Sequence, residues 1–253
     1  MYQQLKQVVD QMTAPGQMFE IRESSVAGQT LKTWAMAPDS LRDLWLNAAE
    51  HGDKEYMVYQ DERWTYTQAH EEVARIANWL SANGIKQHDR VAIAMRNYPE
   101  LLMLVLAISS IGGIVVFLNA WWTTQELDYA LRDSEAKVVF ADGQRMERLV
   151  PLRDPLGLTL IGVRDGEGQS ALDFTIMRDD ASLDTAPEIG IDTDDDQDRD
   201  ACVAEEIKRR GLGSGPGASC HVRISLCRQV TIIVVVCLQA STLDRVQIRN
   251  RRR

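Results

Sequence analysis

The sequence lacks cysteine throughout its first 200 residues. All of its cysteines, Cys202, Cys220, Cys227 and Cys237, lie beyond that point. The intervals between them contain no Cys-x-x-Cys motif and His221 stands alone, so the pattern predicts neither a disulfide framework nor a zinc site. This use of cysteine is typical of a protein in a reducing cytoplasm.

A basic surface is also missing from most of the chain. The formal net charge is −9, and the first 200 residues hold 18 lysines and arginines against 34 acidic residues. Residues 201–253 reverse this balance, with ten basic residues against three acidic ones. An acidic body without a basic face argues against a nucleic-acid-binding role.

Long apolar runs are scarce as well. The opening sequence MYQQLKQVVDQM mixes polar and apolar residues, so it does not have the pattern of a secretory signal. The stretch from Leu101 to Leu118 has no charged residue, but Ser109-Ser110 and Gly112-Gly113 interrupt it and β-branched residues follow the glycines. We expect a buried helix followed by a strand there, and no membrane span.

The stretch from Asp89 to Asn119 has the best-defined pattern in the sequence. A short apolar segment, VAIAM, is followed by a break at Arg96-Asn97-Tyr98-Pro99, a longer apolar segment, a Gly112-Gly113 break and the β-branched segment IVVFL. This order predicts strand, helix, strand. Strands that are apolar without interruption are typical of a sheet covered by helices on both faces.

The fold class predicted from the whole chain is therefore α/β, with a largely parallel sheet flanked by helices. Alternating strands and helices joined by right-handed crossovers make such a sheet parallel. The strands are expected to start at Val91, Ile114, Val138 and Leu158.

Several capping signals place the helices around these strands. Asp39-Ser40 predicts the start of a helix at Leu41, and Thr67 is expected to cap a helix that ends at Asn83-Gly84. Thr123 to Glu126 has the capping-box pattern. The segments 56–59 and 64–66 flank a polar break and predict a hairpin.

The composition divides the chain into four parts. We expect an N-terminal extension at 1–39, a packed α/β domain at 40–178, an acidic loop at 179–200 and an atypical basic tail at 201–253. The tail contains the linker-like segment GLGSGPG and the β-prone run VTIIVVVCL. It has no aromatic residue, and we expect it to be disordered or unrelated to the packed domain.

Three segments, in the order in which they occur along the chain, resemble the N-terminal domain of the class I adenylate-forming (AMP-binding) superfamily, especially the acyl-CoA synthetases. They are WTYTQAHEEVARIANWLSANGI, DRVAIAMRNYPELL and GGIVVFLNAWWTTQELDYALRDSEAKVVFAD. With the flanking helix and acidic loop, the likeness covers about residues 40–196. The resemblance implies a cytoplasmic enzyme that joins a carboxylic acid, in many members a fatty acid, to CoA through an acyl-adenylate. ATP, Mg²⁺ and CoA are the implied cofactors and substrates.

The sequence departs from that family where the chemistry would begin. The family's phosphate loop is rich in Ser, Thr and Gly and ends in Pro-Lys-Gly, but no such sequence occurs here, and GLGSGPG lacks the threonines and the lysine. The later adenine, ribose and catalytic-lysine motifs are absent too. We therefore expect a truncated, inactive synthetase whose gene is interrupted near Gln197, with no catalytic residue, no metal ligand and no assignable cofactor-binding residue. The alternative is a non-catalytic α/β interaction module, or half of a split ligase that pairs with a partner chain.

Individual polar residues offer weak functional signals. Asn97 and Asn119 follow expected strands, where ligands of open α/β sheets bind, but helix capping by Asn97 and turn formation by Asn119 are the favoured interpretations. Trp121-Trp122 could line an acyl tunnel or cover the sheet edge, and covering is favoured. A dinucleotide-dependent oxidoreductase is excluded, because Arg96-Asn97-Tyr98-Pro99 stands where Gly-x-Gly-x-x-Gly would be needed.

The remaining titratable residues suggest no catalytic group. His51, His70 and His88 lie beside polar residues and are expected at the surface. Asp194-Asp195-Asp196 could bind a cation, but adjacent carboxylates in a polar segment are more often only solvated.

Overall fold

A parallel sheet forms the centre of the computed structural model, which describes residues 2–26, 29–38, 40–169, 172–177, 185–189, 219–225 and 231–237. In space the strands follow the order β10-β11-β6-β5-β7-β8-β9. Every neighbouring pair from β11 to β9 is parallel, and only β10 runs antiparallel. The strands of this sheet are β5 (Arg90–Ala94), β6 (Ile114–Phe117), β7 (Val138–Ala141), β8 (Thr159–Gly162), β9 (Leu172–Asp173), β10 (Ser219–Ser225) and β11 (Thr231–Cys237).

Helices separate the central strands in the sequence and cover both faces of the sheet. The predicted α/β class and parallel strands are confirmed. The α-helices are α1 (Tyr2–Met12), α2 (Leu41–Asn47), α3 (Tyr66–Ala82), α4 (Pro99–Ser110), α5 (Thr124–Ser134), α6 (Gly143–Leu149) and α7 (Arg153–Leu156).

The core consists of two layers, one on each face of the sheet. Successive side chains of a strand point to opposite faces, and in β5 both sets are buried. Val91 and Ile93 belong to a cluster with α3 and α4, whereas Ala92 and Ala94 belong to a second cluster with α5 and α6. This double burial explains why the strand has no polar residue at alternate positions.

Two hairpins lie outside the central sheet. Strand β3 (Glu55–Tyr59) pairs antiparallel with β4 (Glu62–Thr65), which confirms the hairpin predicted for this segment. Near the N-terminus, β1 (Ile21–Val26) pairs with β2 (Gln29–Trp34).

The start of α3 differs from the prediction. Thr65, and not Thr67, is the N-cap: its hydroxyl accepts a hydrogen bond from the Gln68 amide, and the Gln68 side chain accepts one from the Thr65 amide. This reciprocal capping box satisfies two amides that a helix start would otherwise leave unpaired. The predicted box at Thr123 and Glu126 is confirmed.

The end of α3 has the predicted chemistry. Gly84 has a φ of +85°, a left-handed conformation that glycine adopts without strain. The Ile85 amide then donates to the Leu80 carbonyl at 3.0 Å, and Ile85 packs against the core. This arrangement closes the last turn of the helix.

The uncharged stretch Leu101–Leu118 contains most of α4, a turn and β6, as expected. Within the described ranges, no helix is both long and apolar enough to cross a membrane.

Two strands of the C-terminal part are described. β11 coincides with the β-prone run and pairs with β6 at one edge of the sheet, and β10 pairs with β11. The acidic loop predicted at 179–200 lies outside the described residues except for 185–189. The linker-like segment 211–217 and the chain end also lie outside them. The predicted domain boundaries and the proposed origin of the tail therefore stay predictions.

Candidate functional site

The carboxyl ends of β5 and β7 are the place where an open α/β sheet of this topology would bind a ligand. These strands are neighbours in the sheet, but the chain leaves them in opposite directions: α4 leads from β5 to β6, and α6 and α7 lead from β7 to β8. The two connections also pack on opposite faces of the sheet. Such a reversal opens a crevice outside the strand ends.

Asp142 occupies this crevice and is almost fully buried, with 1% of its surface exposed. Its carboxylate accepts a hydrogen bond from the Arg96 amide at 2.9 Å. It also caps α6 by accepting from the Arg145 amide, and it forms an ion pair with the Arg145 guanidinium at 3.3 Å. Neighbouring protein groups therefore satisfy the charge of Asp142.

Two arginines of α6 hold the loop that follows β6. Arg145 donates from Nε to the Ala120 carbonyl at 3.2 Å. Arg148 donates to the carbonyls of Ala120 and Trp122 at 3.1 and 3.0 Å. Both guanidinium groups thus have bonds within the protein and serve to position this loop.

Arg164, which follows β8, connects the sheet to the β3–β4 hairpin and to α4. It donates to both carboxylate oxygens of Glu62 at 2.8 and 2.9 Å, and to Glu100 at 2.9 Å. The rings of Tyr59 and Tyr98 lie 5.2 and 4.9 Å from its guanidinium carbon. The hydrogen bonds to Glu62, followed by those to Glu100, raise the pKa of Arg164 despite partial burial.

Glycines at this edge serve close packing and do not form a phosphate cradle. A Cβ on Gly143 would lie 2.6 Å from the Asp165 carbonyl oxygen, and one on Gly166 would lie 2.5 Å from that of Ala141. A Cβ on Gly162 would collide with the backbone of Gly166. Neighbouring backbone fills the space beside each of these three glycines, so they allow close packing of the loops at this edge.

No group of three or more potential metal ligands occurs in the part of the chain that the structure describes. Among the described residues of the edge, Asp142 is paired with Arg145, and Arg164 is paired with Glu62 and Glu100. Chemically, these pairs hold loops in place.

The interpretation of Asn97 as a helix cap is wrong. Helix α4 starts at Pro99, and its N-cap is Tyr98, whose side chain makes no capping bond. Asn97 and Arg96 are exposed at the carboxyl edge. Burial, followed by the carboxylates of Asp165 and Asp142, raises the pKa of the Tyr98 phenol.

Asn119 has the predicted role in a turn. Its side-chain oxygen accepts from the Trp121 amide at 2.9 Å, and its carbonyl accepts from the Trp122 amide at 3.1 Å. Trp122 is buried in the α5 and α6 layer, which supports the covering role, whereas Trp121 is 84% exposed and covers nothing described.

The expected surface location of the histidines is wrong, since His51, His70 and His88 are all partly buried. His70 stacks on Trp45, with ring centroids 3.8 Å apart and ring planes 8° apart. A helical signal was available: His70 lies three and seven residues before Val73 and Ala77, which are buried on the same face of α3.

Other residues singled out in the sequence cannot be placed. Asp194-Asp195-Asp196, Cys202 and Cys227 lie outside the described residues. Cys220 and Cys237 belong to β10 and β11, for which only the backbone is described.

Comparison with known proteins identifies relatives of this fold. The family model named AMP-binding enzyme matches residues 44–206. The chain is 35% identical over 99 residues to the acyl-CoA ligase sidI of Aspergillus fumigatus. This alignment covers 38% of this chain and 17% of the relative. The chain is 28% identical over 166 residues to the crotonobetaine/carnitine–CoA ligase of Citrobacter koseri. This alignment covers 60% of this chain and 32% of the relative.

A solved structure shows the same fold. The benzoate CoA ligase from Burkholderia xenovorans LB400 aligns with a TM-score of 0.53 and 20% identity, over 60% of this chain and 30% of that one. At this identity the likeness concerns the fold alone. In all these comparisons, the chain spans a third or less of the length of the protein that it matches.

Proposed function

The chain belongs to the AMP-binding enzyme family, and we propose that it forms the N-terminal scaffold of an ATP-dependent carboxylate–CoA ligase. The complete enzyme would join a carboxylic acid to CoA through an acyl-adenylate, with Mg²⁺ present. Fatty acids are the first substrate class to test.

One observation carries the proposal. The family match at residues 44–206 begins within α2 and runs past β9, so it includes the hairpin, α3 and the central parallel strands. Curated acyl-CoA ligases match parts of the same chain. The proposal therefore concerns the packed α/β part, which we assign to residues 40–178.

The residues at the carboxyl edge support a scaffold role. Asp142 is paired with Arg145, and Arg164 is held by Glu62 and Glu100. These bonds fix the loops after β5, β7 and β8 relative to one another. In our proposal the edge provides a rigid base, and the groups that act on ATP are supplied by sequence that this chain lacks.

Adenylation requires phosphate-binding groups that are not found among the 253 residues. The carboxylate attacks the α-phosphorus of ATP and displaces pyrophosphate, and this step requires donors and cations around the negatively charged phosphorus centre. The sequence contains no Ser/Thr/Gly-rich loop ending in Pro-Lys-Gly. We therefore propose that this chain alone does not form acyl-adenylates.

An ATP–pyrophosphate exchange assay tests this proposal. The purified chain is incubated with ATP, Mg²⁺, labelled pyrophosphate and, in turn, hexanoate, palmitate and phenylacetate. We expect exchange no faster than in a protein-free sample. Circular dichroism shows whether the protein is folded, and a complete acyl-CoA ligase assayed with its own acid is the positive control. Exchange that depends on both the chain and an added acid would refute the proposed inactivity.

We also propose a cytoplasmic location. The supporting observation is that the first 200 residues, which contain the whole hairpin and central sheet up to β9, have no cysteine. Fractionation of the producing cells, with detection of the chain by antibody, tests this assignment.

A further inference from the structure

A second pocket lies at the opposite end of the sheet from the carboxyl edge. It has a volume of about 400 Å³ and lies between α2, α3, the last residue of α4 and the segment 185–186. Helix α4 starts at the carboxyl edge and has 12 residues, so it places its last residue, Ser110, about 16 Å away along the helix axis. The pocket is therefore separate from the ligase scaffold's candidate site.

The pocket contains a buried cation that makes no ion pair within the described part of the chain. Arg42 is 9% exposed and donates from Nη1 to the Ser110 carbonyl at 2.7 Å and from Nη2 to the Pro187 carbonyl at 2.6 Å. These bonds use two of the five N–H groups of a guanidinium. Burial lowers the pKa of Arg42, and the nearby Asp43 offsets this only in part. A bound anion would compensate the charge.

Two other polar atoms in the pocket wall have no hydrogen-bond partner among the residues that the structure describes. They are the Ser110 hydroxyl oxygen and His70 Nε2, and Ser110 is only 1% exposed. Buried polar atoms in proteins nearly always have a hydrogen-bond partner, so such atoms point to a missing ligand group. Both residues line the same pocket as Arg42.

The rest of the wall is apolar. Trp45 is 5% exposed and lines the pocket beside Val73, Ala74 and Ala77 of α3. A pocket with mainly apolar walls and a few convergent polar groups is typical of small-molecule sites. A water molecule occupies about 30 Å³ in the liquid, so the pocket has room for roughly a dozen waters or a small organic molecule of the same volume.

We infer that this pocket, which we call the Arg42 pocket, binds a small organic carboxylate with an apolar, preferably aromatic, body. The carboxylate accepts hydrogen bonds from the unused N–H groups of Arg42 and from the Ser110 hydroxyl. The apolar body packs against Trp45 and the alanines of α3.

The segment 185–187 lies beside the pocket and contributes Thr185 and Ala186 to its wall. Two hydrogen bonds hold it: one joins Arg42 to the Pro187 carbonyl, and the other joins Asn78 Nδ2 to the Thr185 carbonyl at 2.8 Å. Because Ser110 Oγ and His70 Nε2 are out of contact with solvent in the closed pocket, ligand binding should alter the environment of this segment.

The test compares phenylacetate with phenylacetamide, which has the same shape but no charge. Binding to the full chain is measured by ligand-observed NMR and isothermal titration calorimetry. We expect phenylacetate to bind at least about tenfold more tightly than the amide, because a charge-assisted bond to Arg42 is lost in the amide. Equal affinity for the acid and the amide, or no binding of phenylacetate at millimolar concentration, would overturn the inference.

Three variants locate the site. Arg42→Gln and Ser110→Ala should each weaken phenylacetate binding about fivefold or more. His70→Phe keeps a ring against Trp45 and gives a folded variant that lacks the imidazole nitrogen. Arg132→Gln, an exposed arginine of α5, is the matched control and should leave the affinity unchanged. His70→Phe should retain binding, because His70 makes none of the proposed contacts to the carboxylate. Full affinity in folded Arg42→Gln and Ser110→Ala proteins would show that phenylacetate binds elsewhere and would reject the Arg42 pocket.

Discussion

The guanidinium of Arg164 donates two parallel hydrogen bonds to the carboxylate of Glu62, at 2.8 and 2.9 Å. Glu62 begins β4 of the hairpin, and Arg164 follows β8, so the pair joins segments that are 102 residues apart. A third bond from Arg164 reaches Glu100 in the first turn of α4. The hairpin, α4 and the carboxyl edge of the sheet are therefore fixed to one another at a single side chain.

Removal of this side chain should destabilise the protein. We expect Arg164→Ala to lower the free energy of unfolding by about 2–3 kcal/mol, since partly buried charge-assisted bonds are lost and buried Glu100 loses its cation. Urea unfolding followed by circular dichroism measures the change. Arg132→Ala is the control, because its ion pair with Asp128 is on the surface and should contribute much less to stability. Similar losses in both variants would contradict the structural role of Arg164.

The capping box at the start of α3 predicts a difference between two neighbouring threonines. Thr65→Ala should cost about 1 kcal/mol, since the Gln68 amide loses its acceptor. Thr67→Ala removes only an exposed bond to Asp53 and should cost a few tenths of a kcal/mol. Denaturant unfolding of the two variants decides whether α3 begins after Thr65. A larger loss at Thr67 would restore the assignment made from the sequence.

Close packing at the carboxyl edge can be tested at Gly166. An alanine Cβ there would lie 2.5 Å from the Ala141 carbonyl oxygen, so Gly166→Ala should cost about 2–3 kcal/mol. At Gly168 an added Cβ meets open space, but the backbone φ is +77°. Gly168→Ala should therefore cost about 1 kcal/mol from backbone strain alone. Thermal unfolding of Gly166→Ala and Gly168→Ala measures the loss of stability in each variant. If Gly166→Ala is tolerated better than Gly168→Ala, the loop after β8 does not pack on β7 as described.

The stacked His70 predicts a pH dependence of stability. Burial lowers the pKa of His70 in the folded protein below its value of about 6.5 in an unfolded chain. As the pH falls below about 6.5, the unfolded state binds a proton before the folded state does, so stability falls toward acidic pH. His70→Phe should show a smaller decrease in unfolding free energy between pH 7.5 and pH 5 than the unchanged protein. An identical or larger decrease in the variant would show that His70 does not contribute.

Much of the fold could be predicted because its signals are local. The segment from Asp89 to Asn119 encodes β5, α4 and β6 through apolar runs separated by Pro99 and Gly112-Gly113. Thr65-x-x-Gln68 also fits the capping-box pattern, whereas Thr67 has His70 three residues later and cannot form that box. The sequence therefore offers two local capping signals for α3, Thr65 and Thr67, and the prediction used the wrong one.

The residues that shape the two sites could not be predicted in the same way. Arg164 meets Glu62 only because the topology brings β8 and the hairpin together, and no pattern within either segment encodes that contact. Arg42 and Ser110 are likewise 68 residues apart in the sequence. The helical face of α3 indicated that His70 is buried, but its stacking partner Trp45 lies on another helix.

A chimeric enzyme tests the scaffold proposal most directly. Residues 40–178 of this chain replace the aligned segment of the crotonobetaine/carnitine–CoA ligase of Citrobacter koseri, and CoA thioester formation is measured with that enzyme's own acid. A control chimera carries the aligned segment of the acyl-CoA ligase sidI at the same junctions. We predict a folded chimera with thioester formation above background that depends on ATP and CoA. A folded but inactive chimera, beside an active sidI control, would contradict the proposal that this chain is a ligase scaffold.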